Sequence, residues 1–243
     1  MNARALFPFL ALAGLILVVS LACGTTPVTQ PTNPPPVVVQ PTTPPATLAP
    51  EATALSEWKS GDVYYSTTFS DLADWNQYSR KDSSTYTIEK RNDGLHVIIP
   101  ANRDLVGFLH DPGPGSSNVR LEADVELIGG TNYTYFILIC RQSKQGEYDF
   151  ILDTGGYWQI GKFVDQKYTR LYDGGSTSIN VAKAKNHMTA ICQDNMLTLQ
   201  INGVTITSVT DSSFTEGAIG IEVDTLDYPH SEVIVHNFQA VIP

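Results

Sequence analysis

From Trp58 to the C-terminus, apolar residues keep returning at every second position, and no segment holds a 3.6-residue apolar period over three turns. A chain with that rhythm builds sheets, because alternate side chains of an extended strand leave on opposite faces. The cleanest case is Leu121-Glu122-Ala123-Asp124-Val125-Glu126-Leu127, with its apolar side chains on one face and its carboxylates on the other. The same reading predicts strands over Thr85–Lys90, Leu95–Ile99, Asn118–Ile128, Thr134–Arg141, Tyr148–Asp153 and Tyr157–Val164. It continues through Lys167–Tyr172, Asn186–Gln193, Leu197–Ile201, Val204–Val209, Ala218–Val223 and Glu232–Val241. Asn92-Asp93-Gly94, Gly155-Gly156 and above all Asn202-Gly203 are the hairpin turns. Many short strands separated by turn residues predict an all-β sandwich or jelly roll of two antiparallel sheets.

The N-terminal part cannot join that fold. Residues 1–22 read as a signal peptide: Arg4 lies in a short polar start, and an apolar run over 5–22 follows. The run ends in Val19-Ser20-Leu21-Ala22-Cys23-Gly24, which resembles the bacterial lipobox, although Ser20 stands where that motif usually has Leu. The resemblance implies lipidation of Cys23 and an extracytoplasmic protein anchored to the bacterial cell membrane. Two alternatives stay open, an uncleaved membrane span and an ordinary secretory signal with a coincidental Cys. Residues 23–57 read as a disordered Pro/Thr-rich stalk. They hold nine of the chain's fifteen prolines, which fix φ, remove donors and favour extended polyproline II. Residues 58–243 then form the folded domain, enough chain for one sizeable core.

The formal net charge is −10, without a Lys/Arg cluster. Binding nucleic acid needs phosphate neutralisation, and binding anionic lipid by charge needs a basic patch, so neither is expected.

Several runs carry a resemblance to a known fold family. They include Phe69-Ser70 with Trp75, Phe136–Arg141 followed by Tyr148-Asp149-Phe150, and Asp153–Lys162. The later ones are Leu197–Gly203, Phe214–Ile221 and Val233–Phe238. Together they resemble the concanavalin-like, laminin-G-like jelly-roll domains of bacterial surface proteins. The 3-keto-disaccharide hydrolase and family 16 glycoside hydrolase domains are more distant relatives. These are motifs of a fold and leave the activity open.

Candidate site residues follow. Glu122, Asp124 and Glu126 have the spacing of the family 16 catalytic strand. By that resemblance they would be nucleophile, tuning carboxylate and general acid/base, whereas ordinary alternation would make them a solvated acidic face. Tyr133, Tyr135, Tyr148, Tyr157, Trp158, Tyr168 and Tyr172 crowd the middle strands. The concave sheet, with Arg141, Tyr148, Tyr157 or Trp158, and Lys162, is the expected binding face. Cys140 and Cys192 suit a disulfide in an exported domain, or two separate buried thiols. Related jelly rolls often hold Ca²⁺ on rim loops, for which Asp111, Asp173, Asp224 and Asp227 are the available oxygen donors; without an EF-hand spacing, solvated loop carboxylates and no cofactor are the expectation. The expected function is non-catalytic binding of a glycan. A glycosidase using the acidic strand and a protein-interaction or structural envelope domain are the alternatives.

Overall fold

The computed structural model describes residues 59–79, 86–100, 104–111, 117–165, 167–228 and 230–243. The signal segment, Cys23, the stalk and Trp58 lie outside the described residues. Within them the chain is all strand and turn. The strands are β1 (Val63–Thr67), β2 (Asn76–Ser79), β3 (Thr87–Arg91), β4 (Gly94–Ile99), β5 (Leu105–His110) and β6 (Val119–Gly130). Then come β7 (Tyr135–Ser143), β8 (Gly146–Asp153), β9 (Tyr157–Val164), β10 (Lys167–Gly175) and β11 (Lys185–Gln193). The last four are β12 (Met196–Ile201), β13 (Val204–Thr210), β14 (Ala218–Asp224) and β15 (Ser231–Val241).

They assemble into the two antiparallel sheets of a jelly-roll sandwich. One sheet has eight strands in the order β13-β12-β11-β6-β15-β4-β3, with β1 also paired to β15. The other has seven, in the order β10-β9-β8-β7-β14-β5-β2. The alternation of β6 explains the layering: Val119, Leu121, Ala123, Val125 and Leu127 are fully buried against the facing sheet. Phe136, Leu138, Phe150, Leu152, Ile160, Ile221 and Val223 answer from the seven-stranded sheet. Cys140 on β7 and Cys192 on β11 form a disulfide that ties the sheets together through this core. Closing a loop with a sequence separation of 52 contributes about 4 kcal/mol in the chain-entropy picture.

The expected strands form, with ends shifted by at most three residues. At the β12–β13 turn, Asn202 and Gly203 both take positive φ (52° and 78°), the conformation of a tight hairpin turn. Three strands carried no clear sequence signal. β1 and β2 are short and lie at sheet edges, and β5 is interrupted by Gly107. The interruption has a reason: an added Cβ at Gly107 would fall on the ring of Tyr78.

Candidate functional site

The outward face of the seven-stranded sheet does not have the plain polar surface that alternation would give. In β7, Phe136, Leu138 and Cys140 point into the sandwich, yet Ile137 and Ile139, which point out, are also buried. With Ile151 of β8 they form a second apolar cluster, against which Tyr78, Leu109, Tyr135 and Tyr168 pack. Ile137, Ile151, Tyr78, Tyr135 and Tyr168 of this cluster line a cleft of about 510 Å³, together with Glu147, Asp149, Gln159, Arg170, Glu222 and Asp224. That volume lies in the ordinary range for small-ligand sites.

Two tyrosines form its walls by the same device. Tyr78 of β2 is paired with Gly107 of β5, and its ring crosses that glycine. Its hydroxyl then donates a 2.8 Å hydrogen bond to Glu222 on β14, the strand beyond. From the opposite side, Tyr168 of β10 crosses Gly161 of β9, whose neighbour in register on β8 is Asp149. The Tyr168 hydroxyl donates to Gln159 at 3.3 Å, and the Gln159 amide donates to Tyr135 at 3.3 Å. The glycines leave room for aromatic side chains to lie over the sheet.

Four carboxyl groups line this cleft, those of Glu147, Asp149, Glu222 and Asp224. Asp149 is 8 % exposed, and its Oδ1 has no hydrogen-bond partner. Burial first, then the charges of Glu147 and Glu222, push its pKa well above the usual carboxylate range. Burial raises Glu147 as well. Tyr78 is raised by burial and then by Glu222, and Tyr168 by burial and then by Asp149, so both phenols keep their protons and serve as donors. Beyond Glu147 and Phe163 the surface continues into a trough with Gln142, Ser143 and Gln145 on its sides.

Glu122, Asp124 and Glu126 lie elsewhere, on the outward face of the eight-stranded sheet, and each is engaged. Glu122 makes a 2.7 Å ion pair with Arg120 and accepts from Gln239. Asp124 meets His187 Nδ1 at 2.9 Å, Asn237 at 2.8 Å and Lys185 Nζ at 3.6 Å. Burial alone would raise Asp124, but His187, Asn237 and Lys185 together outweigh it and hold its pKa low. Glu126 lies 2.8 Å from His236 Nε2.

The expected ligand residues divide. Arg141, Tyr148 and Trp158 do not face a ligand: they are 1 %, 0 % and 6 % exposed. Tyr148 and Trp158 belong to the core because the parity of β8 and β9 turns them inward. Arg141 is spent on the Ser117 and Phe214 carbonyls. Tyr148 donates to Asp211 at 2.6 Å, and Lys162 pairs with Asp211 at 2.6 Å and donates to Ser213 at 2.7 Å. Burial would raise Asp211, but Lys162, Ser213 and Tyr148 hold it well below the carboxylate range. Tyr157 is opposite Asp153 and shares the outward face with Gln159, outside the residues that line the cleft. Among the described residues, no three His, Cys, Asp or Glu side chains are arranged to hold a metal ion. Of the four aspartates expected on rim loops, Asp173 and Asp224 instead lie in β10 and β14; Asp224 lines the cleft and Asp173 pairs with Arg170 at 3.4 Å.

Sequence reading missed Tyr78, Glu147, Asp149, Gln159 and Glu222. Their signal was a failure of alternation. Phe136-Ile137-Leu138-Ile139-Cys140 is apolar on both faces, which a sheet with one solvated face does not require.

No family model and no curated protein sequence matches the chain. Solved structures do. A family 66 carbohydrate-binding module from Bacillus subtilis superposes with a TM-score of 0.55 at 17 % identity, covering 70 % of this chain and 97 % of its own. A Bacteroides ovatus mixed-linkage-glucan family 16 glycoside hydrolase, solved with a G4G4G3G product, gives 0.53 at 13 % identity over 74 % of this chain and 100 % of its own. A Bacillus subtilis protein of unknown function with a galectin-like fold gives 0.55 at 13 % identity over 76 % and 98 %. At these identities the likeness establishes the concanavalin-like jelly roll.

Proposed function

We propose that the domain binds a glycan in the cleft over Asp149 on the seven-stranded sheet, without hydrolysing it, as the outward-facing part of a surface-anchored protein. The observation that carries this reading is the cleft itself. Tyrosine rings fold inward over Gly107 and Gly161 beside buried carboxyl and amide groups, which is the pairing of apolar faces and polar edges that a pyranose ring presents. Support also comes from the structural neighbours, one of which is titled a carbohydrate-binding module. Tyr157 extends the same face and belongs to the proposed binding surface.

The alternative enzyme reading, which uses Glu122, Asp124 and Glu126, is disfavoured by their engagement. A nucleophile and an acid must be free to meet a sugar, and these carboxylates are committed to Arg120, His187, Lys185 and His236.

The anchor belongs to the proposal too. A lipidated Cys23, with residues 23–57 as spacer, would hold the domain outside the cell membrane. Radiolabelled palmitate should enter the wild-type chain and not Cys23→Ala; equal labelling would remove the lipid from the account. The binding reading is tested with immobilised glycans. The full chain should bind a subset, and Tyr135→Ala combined with Tyr168→Ala should lower affinity tenfold or more. Unchanged binding by that double variant would overturn the assignment of the cleft.

A further inference from the structure

The cleft gathers more acidic groups than a neutral sugar calls for. Glu147, Asp149, Glu222 and Asp224 line it, and among the described lining residues Arg170 is the one basic side chain. The Arg170 side chain is 55 % exposed and already lies 3.4 Å from Asp173. On the eight-stranded sheet every carboxylate of the β6 row has a cation or an imidazole beside it. In the cleft, Asp149 instead buries an oxygen that has no partner. Leaving a buried polar atom unpaired costs about 1–3 kcal/mol, so a fold that keeps one at the floor of a cleft has left a place for a donor.

The surroundings specify the kind of donor. The flanking strands bring Ile139 and Gly161 next to Asp149, neither of which has a polar side-chain atom. The groups that face it are Glu147 on its own strand, Glu222 on β14, Tyr78 from β2, and Tyr168 and Arg170 from β10. A sugar hydroxyl would satisfy one oxygen and leave the carboxyl groups repelling one another. An ammonium group brings three donors and a positive charge, and aromatic faces attract the same charge.

We infer, on the reading that this cleft holds a sugar, that the sugar is an amino sugar whose free ammonium group docks on Asp149, with Glu147 and Glu222 completing the compensation of its charge. The class of ligand is then a polysaccharide or oligosaccharide carrying unacetylated amines. Because burial and neighbouring charge favour the protonated acid in the empty cleft, docking an ammonium there ionises the acid and releases a proton.

The test is calorimetric titration of the full chain with a glucosamine tetramer and with its fully N-acetylated counterpart. Each is run in two buffers of different ionisation enthalpy. The glucosamine tetramer should bind at least tenfold more tightly, release protons and weaken as salt is raised. Asp149→Asn, which removes the charge with little change of shape, should reduce the preference to about twofold or less. Glu222→Gln should reduce it in part, and Glu89→Gln on the other sheet should leave it unchanged. Equal or tighter binding of the acetylated tetramer, or a preference that survives Asp149→Asn, overturns the amino-sugar inference and leaves the glycan reading standing. Binding of tetralysine with neither tetramer bound overturns both.

Discussion

The two outward faces of the sandwich carry similar acidic strands and put them to different uses. On β6, Glu122, Asp124 and Glu126 alternate with core residues, and on β8, Glu147 and Asp149 do the same. Across the sheet from the first set stand His187 and Lys185 on β11 and His236 on β15. Beside Asp149 the neighbouring strands offer Ile139 and Gly161, and beside Glu147 β9 offers Phe163. The first row is therefore neutralised and solvated. The second is sunk between tyrosines, where burial pushes both acids toward the protonated form. The spacing of carboxylates along one strand says little about chemistry, because the cross-strand partners decide whether those carboxylates are occupied.

That contrast can be broken or sharpened by substitution. The largest effect is expected at Asp149. Its pKa is raised in the fold, so its contribution is fully favourable below the unfolded-state value of about 4, and is lost as pH rises toward the folded value. Asp149→Asn should therefore stabilise the domain at neutral pH by about 1–3 kcal/mol. The gain should vanish below about pH 4. Thermal melts across that range check it, and a destabilised variant at pH 7 would contradict the burial argument. On the opposite face the sign reverses. Asp124 is held low, so its contribution is present above about pH 4 and is lost as pH falls through the folded value. Asp124→Asn should cost about 0.5–1 kcal/mol at neutral pH, since the group is partly exposed and screened. Urea titration at two pH values reads that difference.

A smaller effect on stability, coupled to a clear one on binding, is expected at Gly161. Its backbone is ordinary strand, but an added Cβ would meet the Tyr168 hydroxyl, which lies at the far end of a side chain and can swing away. Gly161→Ala should change stability by less than about 1 kcal/mol and weaken glycan binding several-fold. Retention of full affinity would show that the Tyr168 wall is dispensable. Smallest of all, Glu126→Gln should leave glycan affinity unchanged, because Glu126 meets His236 on the other sheet.

Much of the fold was legible in the sequence, because period-2 alternation and Asn-Gly or Gly-Gly turns act locally. The strands that escaped were the short edge strand β1, β2, whose four residues Asn-Gln-Tyr-Ser carry no alternation, and β5, where Gly107 looks like a breaker. Its role emerges only when Tyr78, from a strand nearly thirty residues earlier, is seen to lie over it. The disulfide was half-legible: compartment logic favoured it, and only the facing positions of β7 and β11 decide against separate thiols. The site was the least legible part. Tyr148 and Trp158 drew attention as aromatics, but strand parity sends them into the core, while Asp149 gains its character from Glu222, Tyr78 and Tyr168 on distant strands.

The central claim is that ligand binding belongs to the face of Asp149 and not to the face of Glu122. It is tested most directly by measuring the glycan affinity of the full chain beside two variants, Tyr168→Ala and Glu122→Gln. The account predicts that Tyr168→Ala loses tenfold or more while Glu122→Gln binds as the wild type does. The reverse pattern, with affinity lost in Glu122→Gln and kept in Tyr168→Ala, would contradict it.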